Sequence, residues 1–354
     1  MATSALIGLD ELALAARNHG MPLEALRHPL TPLGLHYLLI HYDIPVVEPT
    51  AWRLEVDGRV GRGLSLSLDD LRERPKVSTA ITFECAGNGR ALLSPRPVSQ
   101  PWLLEAVGTA EWAGTPLAPL LEEAGLLEDA LEIVFSGIDR GVEGGVAQQY
   151  QRSLGLADAL RDEVLLAYEV NGGPLPPQHG FPLRLVVPGW YGKTNVKWLE
   201  RITAVAEPFE GYQQAEGYRL LTSPDDEGTP VTRMQPRALM VPPGVPDFLT
   251  RERHLRPGRC RLEGRAWSGW GAIDRVEVSV DGGQEWAPAE LDEPVGEHAW
   301  RRWSFNWTPG EAGRYELRCR ASDAAGNRQP DSPPWNTKGY ANNEPQRVVV
   351  TVTE

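Results

Sequence analysis

The stretch Thr82-Phe83-Glu84-Cys85-Ala86-Gly87-Asn88-Gly89-Arg90 combines residue types that can do chemistry at close range. A β-prone run, Val77 to Phe83, delivers one thiol into a turn of two glycines, an amide and a guanidinium. Free backbone N–H groups and a neighbouring cation favour the thiolate, the nucleophilic and metal-ligating form of cysteine. The same residues equally describe a buried small hydrophobe followed by an ordinary turn. A second candidate, Arg184, interrupts the apolar run Leu183-Arg184-Leu185-Val186-Val187. A buried guanidinium without a partner costs roughly 3–5 kcal/mol, so it needs an anion. That anion is either a carboxylate of the protein or a phosphate of a ligand. Arg90, Arg184, Lys193 and Lys197 are together candidates for a basic pocket, or are solvated surface charges as most Lys and Arg are.

The elements that must position these groups can be read in order. Leu9 to Leu26 is weakly helical and breaks at His19-Gly20-Met21-Pro22. Leu35 to Pro45 reads as an apolar strand with His41, Tyr42 and Asp43 at its far end, either a site edge or satisfied core polar groups. Trp52 to Gly58 alternates and turns at Asp57-Gly58, and Ser67 caps a helix beginning at Leu68. Thr115-Pro116-Leu117 opens a helix to Ala124. Ile133 to Asp139 is a strand whose last residue is a turn former or a hydrogen-bond acceptor for a ligand. Ala157 to Arg161 is a short helix, and Val164 to Val170 and Leu183 to Gly189 are strands. Between and after them lie Gly- and Pro-rich loops, one with His179, the other with Lys193, Asn195, Val196 and Lys197. Pro208 to Pro246 reads as an extended crossing, and the remainder alternates in short strands with turn signals, as in an immunoglobulin-type β-sandwich. Seven of the 12 tryptophans lie in that tail, with Cys260 and Cys319 on two of its strands as buried thiols. The expected organisation is α+β: an arm (1–30), a mixed α/β body (31–245, with 208–245 as the crossing) and an all-β tail (246–354).

The 354 residues, 41% hydrophobic and 23% charged, suit a two-domain globular chain with a large core. No apolar run reaches the length of a membrane span, and Met1 to Asp10 lacks the basic flank and apolar core of a secretory signal. The expected location is cytoplasmic, or periplasmic if a leader has been removed. Three cysteines without a C-x-x-C pair exclude zinc ribbons, iron–sulfur clusters and thioredoxin-type chemistry. A formal charge of −13 argues against nucleic acid or an anionic membrane surface as partner, while local basic groups still admit an anionic substrate.

Cys85-Ala86-Gly87-Asn88-Gly89-Arg90, Gly108 to Leu117, Leu165 to Pro176, His179-Gly180-Phe181-Pro182-Leu183-Arg184 and Val196-Lys197-Trp198-Leu199 resemble, in order and spacing, the molybdenum-cofactor domain of the sulfite oxidase family. Ala266-Trp267-Ser268-Gly269, Val278 to Gly283 and Trp335 to Gly339 resemble that family's dimerisation domain. The resemblance covers the chain from about Thr31 onward.

It implies that Cys85 is the protein's ligand to molybdenum. Asp139, His179, Arg184, Asn195, Val196 and Lys197 match positions that hold the pterin and its phosphate, and the set takes in His41, Tyr42 and Asp43. Arg90, Trp102, Tyr218, His41 and Lys338 match the substrate pocket. The departures are specific. His41-Tyr42-Asp43 stands where the best-known members read Arg-Asn-His, Gly89 replaces an arginine, and Lys338 is a point charge in place of a bidentate fork. Each fork lost to a divalent oxyanion costs ~1–3 kcal/mol. The implied reaction is two-electron oxo transfer at a Cys-ligated molybdenum, sulfite to sulfate, with electrons passed to an external acceptor such as cytochrome c or dioxygen. Alternatives are reduction of nitrate or an S-oxide, and a non-catalytic cofactor-binding dimer. The resemblance further implies a homodimer, and no stretch resembles a haem-binding or flavin module.

Overall fold

The computed structural model describes residues 6–223, 225–333 and 335–353; Met1 to Ala5, which belong to the expected arm and to the segment read for a leader, lie outside them. Strands dominate, and the helices are few and short. Among the described residues no helix is long and apolar enough to cross a membrane.

Two sheets build the body. In the first, Leu64–Leu66, Leu54–Gly58, Leu199–Val205, Glu132–Glu143 and Val146–Gly155 lie side by side, with Leu54–Gly58 parallel to Leu199–Val205 and the other pairs antiparallel. Its core face meets the helix Leu117–Ala124, which buries Leu117, Leu120 and Leu121 and stops where Gly125 takes a positive φ of 70°. The helix Leu68–Arg72 starts as expected: Ser67 Oγ accepts from Asp70 N (3.2 Å) while the Asp70 carboxylate accepts from Ser67 N (2.7 Å). The second sheet sets Val77–Glu84 against Val107–Pro116, then Leu165–Val170, which also carries Gly173–Pro174 and Arg184–Val186. Thr82 stands opposite Thr109 with their hydroxyls 2.6 Å apart.

The tail is a sandwich. Arg237–Met240, Cys260–Trp267, Arg301–Trp307 and Glu290–Leu291 form one sheet. Six strands from Val245–Pro246 to Ala287–Pro288 form the other, centred on Gly313–Asp323 and Gln346–Val352. Trp303, Leu262 and Met240 from one sheet and Val276, Leu317 and Val350 from the other share one core. Cys319 is buried in it as a free thiol, and Cys260 is free and half-buried.

Three expectations change. Leu35 to Pro45 is not a strand: after a turn at Leu33–Leu35 it meets another backbone only at Leu38, which bridges His19. Side chains hold two of its other backbone groups, Asn18 Oδ1 taking Ile40 N (2.8 Å) and Lys197 Nζ donating to Leu39 O (2.8 Å). Of Leu183 to Gly189 only Arg184–Val186 pairs as a strand. Residues 208–245 are not uniformly extended: Gln213–Gly217 is a π-helical turn, Arg219–Leu220 pairs with Thr229–Pro230, and Arg237–Met240 is already an edge strand of the sandwich.

Body, arm and sandwich share a further core of Met21, Leu26, Ala86, Tyr218, Leu239, Trp267, Trp300 and Tyr340. Trp300 Nε1 donates to Pro29 O (2.8 Å), and Trp300 N to Thr82 Oγ1 (2.8 Å) on the cysteine-bearing strand. That strand's free edge is also covered: Thr82 N donates to His298 O (2.9 Å).

Candidate active site

Cys85 follows the last residue of Val77–Glu84, and its N–H donates to Ala106 O (2.9 Å). The turn after it closes through Asn88 N to Cys85 O (3.0 Å) and Arg90 N to Gly87 O (3.0 Å). Asn88 staples it, donating to Glu84 Oε1 (3.0 Å) and accepting from Ala106 N (3.1 Å). Both glycines matter for this geometry: a side chain at the first displaces Arg90, and the second needs its left-handed backbone. A Cβ on Gly87 would lie 2.7 Å from the Arg90 guanidinium, and Gly89 sits at φ 87° with its carbonyl bonded by Asn342 Nδ2 (2.7 Å). Arg90 is thereby aimed: Nε donates to Lys338 O (2.8 Å), Nη1 to Gln100 O (3.1 Å), and the fork lies 5.0 Å over the Tyr340 ring. Beneath the turn, Glu84 is buried against Arg237, with Nε 3.2 Å from Oε1, and accepts from Trp267 Nε1 (2.9 Å). Burial pushes the Cys85 thiol up, against the opposing pull of the Gly87 N–H, Arg90 and the Trp102 indole. Alone, this cysteine rests as a thiol; a bound metal would hold it as thiolate.

Two cavities meet at Cys85, which lines both with Leu39, His41 and Tyr218. The inner one is an open cleft enclosing ≈ 630 Å³ of atom-free space. His36, His179, Arg184, Lys193, Asn195 and Lys197 line it, with Asp139 as its one carboxyl group. The Arg184 guanidinium lies 5.0 Å from the centroid of the Phe83 ring and 4.6 Å from that of Trp112, two rings stacked on each other, and donates to His179 O (3.0 Å) and Asn195 O (3.3 Å). Among the described residues it has no carboxylate partner, and burial lowers it to about 10. Lys197 Nζ bonds Leu39 O and Gln178 O (3.3 Å); burial pushes it down and pushes Asp139 up, each opposing the other's shift by its charge. Burial keeps the imidazoles neutral, lowering His36 to about 4, His41 to about 3 and His179 to about 2. Asn195 braces the wall, its Oδ1 accepting from Val187 N (2.6 Å), whereas Val196 is a fully buried core residue whose carbonyl accepts from Leu185 N (2.8 Å).

The outer cavity carries Arg90, Trp102, Tyr218 and Tyr340. Tyr218 Oη is 2.6 Å from His41 Nε2. Tyr42 stands at this wall and bonds Glu143 Oε2 (3.4 Å) and Gln213 Nε2 (3.0 Å).

Besides Val196, two expected residues are not brought in. Asp43 is exposed, and its carboxylate caps its neighbour's amide, Ile44 N (2.8 Å). Lys338 lies outside both cavities, its ammonium donating to Glu216 O and Gly217 O (3.1 Å), so it touches the site only through the carbonyl that holds Arg90. Conversely His36, Tyr37 and Tyr150 line the inner cavity without having been singled out. His36 sits in the Leu35–Pro45 run, but nothing in its spacing separates it from a core residue.

The donor set defines what the inner cavity would hold. Arg184 Nε and Lys193 Nζ, both buried, have no hydrogen-bond partner among the described residues, whereas neutral His36 keeps its proton on Nδ1 against Tyr37 O (3.0 Å) and offers Nε2 as an acceptor. Buried donors without acceptors are costly, and an anionic ligand would satisfy them. Among the described residues no three His, Cys, Asp or Glu side chains converge on a metal position, so a metal at Cys85 needs most of its ligands from a bound group. One soft thiolate beside a basic chamber fits a phosphate-bearing, sulfur-ligated cofactor such as molybdenum–molybdopterin.

Residues 41–213 match the oxidoreductase molybdopterin binding domain and residues 232–353 the Mo-co oxidoreductase dimerisation domain, which defines the class. The chain is 40% identical to sulfite oxidase of Gallus gallus over 330 residues, covering 88% of this chain and 70% of that one. It is 37% identical to mitochondrial sulfite oxidase of Mus musculus over 341 residues, 91% of this chain and 62% of that one. It therefore spans about three-fifths of the length of such mammalian relatives. The sulfane dehydrogenase SoxCD of Paracoccus pantotrophus superposes with a TM-score of 0.81 at 28% identity, covering 95% of this chain and 86% of that one. The chain belongs to the sulfite oxidase family of molybdopterin oxidoreductases.

Proposed function

We propose that this protein oxidises sulfite to sulfate and passes the electrons to an external acceptor. The observation that carries the reading is the position of Cys85, a lone thiol where a chamber of partnerless donors meets a second cavity holding an aimed guanidinium. His36, His179, Arg184 and Lys197 would hold the pterin and its phosphate, with Asn195 bracing their loop. A molybdenum–pterin cofactor bound there supplies two-electron oxo transfer. Arg90 draws the oxyanion toward Cys85 and holds it by charge-assisted hydrogen bonds. His41, neutral and bonded to Tyr218, fixes that phenol at the boundary of the two cavities, and Trp102 lines the outer one with its indole beside the Cys85 thiol. The tail we assign to the immunoglobulin type, as the contact surface of a homodimer. The test is molybdenum analysis of purified protein, then addition of sulfite to the oxidised form. About one molybdenum per chain and bleaching of the charge-transfer absorption are expected; absence of metal ends the enzymatic reading, and metal without bleaching removes sulfite. Nitrate and S-oxides, offered to the reduced protein, should not reoxidise it in turnover.

A further inference from the structure

Lys193 sits on the short turn Gly192–Thr194 and is 5% exposed. The turn passes tightly over the cysteine strand, for a Cβ on Gly192 would lie 3.3 Å from Glu84 O and 2.3 Å from Tyr37 Oη. Tyr150 Oη fixes it by donating to Lys193 O (2.6 Å). The Lys193 ammonium itself has no hydrogen-bond partner; it lies 5.5 Å from the centroid of the Tyr218 ring and lines the inner cavity with Cys85. A second cation, Arg152, 2% exposed, stands 5.7 Å from the same ring. Arg152 donates to Gln213 O, and its Nε has no partner. Neither cation has a carboxylate partner among the described residues. Two adjacent buried cations without a counter-ion are unfavourable, and burial with Arg152 alongside pushes Lys193 well below the usual lysine range. An anion between Lys193 and Cys85 in the inner cavity would relieve this cost.

We propose that Lys193, supported by Arg152 through Tyr218, binds a small divalent oxyanion in the reaction chamber and sets specificity for it. The inner-cavity donors Arg184, Lys197 and His179 form their own cluster, joined through the His179 and Gln178 carbonyls, and line the inner cavity alone. Lys193 lines the inner cavity as they do, but its ammonium lies over the ring of Tyr218, which borders both cavities, so its charge serves the substrate side. Arg152 is a positioning residue, holding Tyr218 and the local potential. The identity of the oxyanion as sulfite rests on the function proposed above; the site does not.

The test titrates holoenzyme and its Lys193→Met and Lys193→Arg variants with sulfate by calorimetry, which reports binding without turnover, alongside molybdenum content. Losing one charge-assisted contact should weaken sulfate in Lys193→Met about tenfold or more, and raise the sulfite KM by a similar factor with kcat nearly unchanged. Lys193→Arg should recover most of the affinity. Unchanged sulfate affinity in Lys193→Met at full molybdenum overturns the proposal, as does a wild type that binds no sulfate. Loss of molybdenum from Lys193→Met also overturns it, assigning the ammonium to the cofactor. Arg152→Met should weaken sulfate by a smaller factor with Lys193 intact; an unchanged affinity there removes its supporting role. If sulfate binding depends on Lys193 but sulfite causes no bleaching, the oxyanion site stands and the sulfite reading falls.

Discussion

Arg237→Met tests how the sandwich supports the metal-bearing turn. Arg237 comes from an edge strand of the sandwich, and Glu84 is the residue before Cys85; both are 2% or less exposed. Their Nε to Oε1 separation is 3.2 Å, and among the described residues Glu84 otherwise accepts only from the neutral donors Trp267 Nε1 and Asn88 Nδ2. Burial already pushes the Glu84 carboxyl up, and Arg237 is the first opposing influence. Removing one partner of a buried pair leaves the other uncompensated and costs about 3–5 kcal/mol, a large part of the stability of an ordinary domain. Removing both charges, as in Glu84→Gln with Arg237→Met, leaves no stranded ion, so the double variant should be more stable than the sum of the singles by ~1–3 kcal/mol. The assay is equilibrium urea unfolding of the two singles, the double and the wild type, followed by tryptophan fluorescence, with molybdenum release recorded along the same titration. Because Trp267 bonds Glu84 directly, its emission should report the loss. An Arg237→Met protein with a wild-type midpoint, or strictly additive singles, would refute the claim that this pair couples sandwich and site.

Cys85→Ser should leave the melting curve within a few degrees of wild type, since a buried thiol becomes a near-isosteric hydroxyl, but abolish sulfite turnover; full activity would remove Cys85 as the ligand. Gly87→Ala places a Cβ 2.7 Å from both terminal nitrogens of Arg90, so the guanidinium must leave its bonds to Lys338 O and Gln100 O. The sulfite KM should rise about tenfold or more, as for loss of one charge-assisted contact, and a wild-type KM in steady-state kinetics would contradict the aiming role given to Arg90. The arm has an acid-sensitive latch: Arg96 bonds Glu11 (3.1 Å to Oε2) and holds its carboxyl at about 2, below the ordinary 4.5. A carboxyl depressed in the folded state contributes stability that is complete above 4.5 and is lost as pH falls toward 2. Hydrogen exchange in the helix Leu9–Arg17 should therefore accelerate over that window, and Glu11→Gln should exchange fast at neutral pH; a flat profile would show that the latch carries no load.

Local signals made some elements legible and left others hidden. The capping residue Ser67, the run ending at Phe83, the Pro116-Leu117 helix start and the alternating tail are encoded within a few residues, and each appears where its signal lies. Leu35 to Pro45 carries apolar β-formers, yet Ile40 N and Leu39 O are taken by Asn18 and Lys197, partners 22 and 158 residues distant, and no periodicity could announce that. The same limit applies to the site. Cys85, Arg184 and Lys197 were legible because a charge or thiol in an apolar or Gly-rich context is locally anomalous. Asp43 and Lys338 carry equally suggestive charges, but a single turn of backbone decides that one faces solvent and the other is spent on the Glu216 and Gly217 carbonyls. Arg152 escaped notice because Gln-Tyr-Gln-Arg-Ser alternates like any half-exposed strand, and only the fold turns that arginine inward.

The departures noted at His41, Gly89 and Lys338 then acquire structural causes. Gly89 cannot carry a side chain cheaply at φ 87°, with Asn342 Nδ2 3.0 Å from where its Cβ would stand. His41 is neutral and engaged by Tyr218, and Lys338 caps the π-helical turn that leads into Tyr218. Positive charge on the outer side of Cys85 therefore reduces to Arg90, which Glu143 on the same wall partly offsets. On the inner side Lys193 stands buried and uncompensated against the one tyrosine common to both cavities, and Arg152 is buried over the same ring. An oxyanion approaching Cys85 thus meets a field directed inward across Tyr218, so substitutions at Tyr218 should disturb anion binding more than substitutions at Lys338.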